Sequence, residues 1–152
     1  MTRFSQVRDL LEQVRGFHGE LASYYTQCAG TAVQERVKLL LEYLSSHQRN
    51  LEAGLSKYED EASRKVLETW VDESHCARLL ADARTMKLPA DMSVEDVTTL
   101  AMKIDECLIR IYRHLSEDAD TEPVREVFRN LVAREQNELR KLAMNALRAG
   151  DV

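Results

Sequence analysis

Glycine and proline are scarce in this chain, with five glycines and two prolines (Pro89 and Pro123) in 152 residues. No glycine-rich phosphate-cradling loop is present, and no alternating apolar run suggests sheet. Cysteine is equally sparse. Cys28, Cys76 and Cys107 are an odd, scattered set without Cys-x-x-Cys spacing, which argues against zinc knuckles and a disulfide frame and for reduced thiols in a cytoplasmic protein. There is no run of eighteen apolar residues, and the amino-terminal MTRFSQVRDLLEQVR carries charges throughout, so neither a signal peptide nor a membrane span is expected. The net charge of −5 is spread over mixed-sign stretches with no basic stripe, and nucleic acid is not an expected partner. Ser-His-Asp and His-Glu-x-x-His patterns are also missing, which removes hydrolase and nucleotide-dependent readings.

What the chain has in quantity is Leu, Ala, Glu, Arg and Lys, the composition of long helices, in a length that suits one domain over 1–152. Phe4, Val7, Leu11, Val14, His18, Leu21, Tyr25 and Cys28 recur at helical spacing and predict a first helix from about Phe4 to Gly30. Gly16 and Gly19 inside it suggest either a close approach to the backbone near His18 or plain tolerance. Val33, Val37, Leu40, Leu44, His47, Leu51, Leu55 and Tyr58 predict a second helix, with His47 on its seam and Asn50 either facing inward or at the margin. From Glu59 to Met92 the rhythm shortens, predicting one or two short helices that carry the chain across, with Trp70 as a hydrophobic plug and His75 in solvent. Ser93 followed by Asp96 predicts the start of a third helix, to about Glu117. Thr121-Glu122-Pro123 predicts the start of a fourth.

That last helix poses the functional question. Its seam reads Val124, Phe128, Leu131, Glu135, Glu138 and Leu142, so two acids occupy the apolar stripe while Arg129, Arg134, Arg140 and Lys141 take outer positions. Carboxylates withdrawn from water need cations, protons or a metal. The halves of the chain also superpose: Tyr25 on Tyr112 and His18 on Asp105 at an offset of 87, His47 on Glu135 and Asn50 on Glu138 at 88.

The segments D-x-x-L-x-x-I-Y-x-x-L from Asp105 and F-x-x-L-x-x-x-E-x-x-E from Phe128 resemble the rubrerythrin-like branch of the ferritin-like superfamily. H-x-x-L-x-x-Y-Y from His18 and LLLEYLSSHQRN from Leu39 resemble it more faintly. The resemblance implies an all-α four-helix bundle of two hairpins joined by a long crossover. It also implies a dimetal centre built from a Glu on the first helix and a Glu-x-x-His on the second helix of each hairpin. Here His18, His47 and Asn50 stand at those positions in one half and Asp105, Glu135 and Glu138 in the other, so one of six keeps the usual residue. His18, His47, Asp105, Glu135 and Glu138 become the candidate metal ligands, for iron, manganese or zinc, with Tyr25 and Tyr112 as outer donors. The paired Cys-x-x-Cys motifs of a rubredoxin-like iron site are absent. Two readings stay open: a metal-binding redox or storage protein, or a metal-free relic in which protonated histidines pair with the acids. The second would be a non-catalytic bundle acting through its surface. A homodimer is the expected assembly, with no substrate, electron donor or partner protein specified.

Overall fold

The computed structural model describes residues 3–150, with side chains described through 144. It is almost entirely helical. A short strand β1 (Phe4–Gln6) leads into α1 (Val7–Thr31), and three residues later α2 (Glu35–Glu61) follows. The crossover holds α3 (Arg64–Leu67), strand β2 (Trp70–Asp72) and α4 (Ser74–Thr85). The long helices α5 (Val94–Asp118) and α6 (Glu122–Gly150) complete the chain. Among the described residues, no helix is long and apolar enough to cross a membrane.

Helices α1 and α2 form an antiparallel hairpin. The ladder of contacts from Thr26–Ser45 through His18–Gln48 to Arg15–Ser56 runs in opposite directions along the two. A second hairpin is made by α5 and α6, joined by an equally short connector. Their apolar faces meet in one core, where Tyr25, Leu41, Ile104, Leu108, Tyr112 and Phe128 are each at most 1% exposed. The start of α5 is fixed by a capping box: Asp96 N–H donates to the Ser93 hydroxyl and Ser93 N–H to the Asp96 carboxylate. Such a box contributes about 1 kcal/mol by satisfying two otherwise orphaned donors.

The first helix begins three residues later than the periodicity predicts. Phe4–Gln6 pairs antiparallel with Trp70–Asp72, Phe4 opposite Asp72 and Gln6 opposite Trp70. In a strand successive side chains face opposite ways. Val71 therefore turns into the core at 4% exposure and Trp70 turns out at 62%, so the predicted plug is a surface residue. Leu67, Cys76, Leu79, Leu80 and Ala83 do the filling instead. The two glycines of α1 also part company. A Cβ at Gly16 would meet nothing within 4 Å, whereas one at Gly19 would lie 2.1 Å from the Glu52 carboxylate of α2.

Candidate polar centre between the hairpins

The inward seam of α2 is Val37, Leu41, Leu44, Gln48, Leu51 and Leu55, all buried, whereas His47 is half-buried and Asn50 exposed. The inward seam of α6 is Val124, Phe128, Leu131, Glu135, Glu138 and Leu142, with Leu131 and Glu138 partly buried. These six pairs share a single offset of 87, the same that relates His18 to Asp105 and Tyr25 to Tyr112. The register of the second helices is thus one residue from the sequence-based alignment. Gln48, not His47, corresponds to Glu135, and Leu51, not Asn50, to Glu138.

Gln48 is the residue that periodicity alone missed. Its signal was its place between Leu44 and Leu51 at steps of four and three, obscured because the adjacent histidine looked more chemical. His75 is exposed, as expected, and its ring stacks on His114 with centroids 4.5 Å apart.

The five predicted side chains are brought to one region. His18 is fully buried on α1, and its Nδ1 lies 2.5 Å from the Gln48 amide oxygen. With the amide oxygen accepting, Nδ1 carries the hydrogen and Nε2 presents a lone pair. That lone pair faces Glu135, whose Oε1 is 3.7 Å away, just beyond hydrogen-bond reach. His47 stacks on Tyr43, and its Nε2 is 3.0 Å from Glu138 Oε2, though without hydrogen-bond alignment. Asp105 is 5% exposed and close enough to Glu135 and Glu138 for each charge to be felt. Among the described residues, the buried atoms His18 Nε2, His47 Nε2, Glu135 Oε2 and Tyr112 Oη have no hydrogen-bond partner.

Burial dominates the protonation of this region. It holds the His18 imidazole down at about 4, only partly opposed by the Gln48 hydrogen bond. It pushes Asp105 up to about 7, with Glu138 and Glu106 adding to the shift, and Glu135 up to about 8, with Asp105 adding. His47 is lowered by burial as well, against the pull of Glu138. The contact of His18 with Glu135 is therefore that of a neutral imidazole with a carboxylic acid. Protonated histidines paired with ionised acids do not describe it, because desolvation penalises both charged forms more than one neighbour offsets.

No protein-family model, curated protein or solved structure matches the chain. The site must speak through its own chemistry. Among the described residues, no group of three or more His, Cys, Asp or Glu side chains is arranged to hold a metal ion. The Glu135 carboxyl lies 3.7 Å from the His18 Nε2 lone pair, and His18 Nδ1–H donates a hydrogen bond to the Gln48 amide oxygen.

Proposed function

We propose that this chain is a ferritin-like bundle of the rubrerythrin-like branch in which the dimetal centre has become a metal-free polar core. The protein then works as a non-catalytic bundle through its surface, as a homodimer. The observation that carries this reading is the inward placement of Gln48 and Leu51 on α2. In the repeat they occupy the places of Glu135 and Glu138, so the first hairpin retains one inward ligand-type side chain, His18. An amide is a poor ligand for iron, manganese or zinc and a leucine is none. The residues present do not fit a dinuclear centre.

A second reading is favoured by the orphaned atoms. His18 Nε2 is a fixed lone pair whose other ring nitrogen is held by Gln48, the arrangement typical of a histidine ligand. Glu135, Asp105, Glu138 and His47 are the further donors that one iron, manganese or zinc ion would recruit by side-chain rotation. Such an ion would supply redox chemistry or storage; this chain's residues would orient it and exclude water.

Elemental analysis after loading with iron(II), manganese(II) or zinc(II) and desalting separates the two. The first reading expects substoichiometric metal in the native protein and retained metal in Gln48→Glu/Leu51→His, which places a ligand-type side chain at all six positions. One ion per chain in the native protein, lost in Glu135→Ala with the helical fold intact, would establish the second. Sedimentation velocity tests the homodimer.

A further inference from the structure

Away from the polar centre, a groove of ≈ 440 Å³ runs between α2 and α6, within the ~300–1,000 Å³ of small-molecule pockets. Leu55 and Tyr58 wall it on one side, Val127 and Leu131 on the other, and Val66 and Pro123 lie at its far end. From Pro123 to Arg134 the α6 wall is roughly 17 Å long at 1.5 Å per residue, the reach of an extended acyl chain of about a dozen carbons.

Two charges mark the groove. Arg134 stands at the end nearer the polar centre and Glu126 two turns back along α6, with Asn130 between them. The Arg134 guanidinium lies against Gly54, where a Cβ would come within 2.5 Å of both terminal nitrogens and 2.9 Å of Cζ. Glycine at 54 leaves the space that the guanidinium occupies. Among the described residues, Arg134 has no ion pair and no hydrogen bond from its side chain, whereas Arg125 and Arg129 on the same helix both engage Glu122. A planar cation that no carboxylate contacts, its charge felt at a distance by Glu135, at one end of an apolar channel, is matched by a ligand that brings the carboxylate.

We propose that this groove binds one amphipathic monocarboxylate, its head on Arg134 and its apolar body along Leu55, Tyr58, Val127 and Leu131. Glu126 sets the direction, since it repels a second anion at the far end.

Isothermal titration of the full chain with dodecanoate below its micelle concentration tests this, with dodecanol and dodecylammonium as head-group controls. One dodecanoate per chain is expected. Loss of the charge-assisted pair in Arg134→Gln, and its absence in dodecanol, should each weaken binding about tenfold or more. Gly54→Ala should weaken it too by displacing the guanidinium, and the exposed Trp70→Ser should change nothing. Glu126→Lys should let dodecanedioate bind at least as tightly as dodecanoate, a gain that misfolding cannot imitate. The proposal is overturned by no binding, by several equivalent dodecanoates per chain, by dodecylammonium binding as well as dodecanoate, or by a folded Arg134→Gln that binds unchanged.

Discussion

Gln48 Oε1 sits 2.5 Å from His18 Nδ1, joining α2 to α1 and deciding which ring nitrogen faces the middle of the protein. An amide oxygen can only accept, so the neutral imidazole keeps its hydrogen on Nδ1.

Replacing Gln48 by Leu would leave that buried N–H without an acceptor, at a cost of about 1–3 kcal/mol. Urea unfolding of Gln48→Leu should show this loss. Gln48→Glu should move the protonation of His18 upward from about 4, because a carboxylate favours the imidazolium. Imidazole NMR titration measures it, and an unmoved His18 would disprove the contact.

The buried acids and His18 act on stability in opposite directions as pH changes. Glu135 and Asp105 are raised, to about 8 and about 7, so their contribution is full below the ordinary carboxylate range and is lost as pH rises through these values. His18 is lowered from 6.5 to about 4, so its contribution is full above 6.5 and is lost as pH falls towards 4. In chelator, the melting temperature should decline from about pH 6.5, where the His18 contribution is already full, to about pH 8, where Glu135 ionises in the folded protein, and Glu135→Gln should flatten that limb. A bound metal reverses the alkaline trend, since ligation strengthens as protons leave.

Tyr112 is 1% exposed and its hydroxyl has no partner among the described residues. Removing an unsatisfied buried hydroxyl relieves its desolvation, so Tyr112→Phe should be neutral or stabilising by up to about 1–2 kcal/mol. A clear destabilisation in thermal unfolding would mean that the hydroxyl is engaged after all.

The long helices were legible because each buries a continuous stripe: Val97, Leu100, Ile104, Leu108, Ile111 and Leu115 read the same in sequence and structure. The capping residues Ser93 and Asp96 were legible for the same reason, as local chemistry at a local end. The ribbon was not. Three residues on each strand carry no alternation long enough to see, and Phe4–Gln6 extends only because Trp70–Asp72 is there to pair with it. In the polar centre, His18, Asp105 and Glu135 were placed inward correctly. The choice between His47 and Gln48 was not decidable from spacing, because adjacent residues differ by about 100° around a helix and a broad stripe admits either.

Gly16 is exposed, helical, and faces open space, so Gly16→Ala should stabilise by about 0.5–1 kcal/mol through helix propensity alone. Gly19→Ala should gain less, because its methyl displaces the Glu52 carboxylate from its place beside Arg49. Paired urea curves decide the order.

Trp70 and Phe128 make the sharpest contrast among the aromatics. Phe128→Ala removes a fully buried ring and should cost about 3–5 kcal/mol. Trp70→Ser, at a side chain 62% exposed, should stay within about 1 kcal/mol. A large loss at Trp70 would instead mean that its ring is covered in solution.

The pairing of β1 with β2 has a mechanical corollary. Val7 N–H donates to Thr69 O and Glu73 N–H to Arg3 O, so the ribbon straps the front of α1 to the crossover. Tension applied at Arg3 is transmitted as shear into Trp70–Asp72 before α1 feels it. A pulling experiment from that end should rupture the strap first and unwind the helices afterwards.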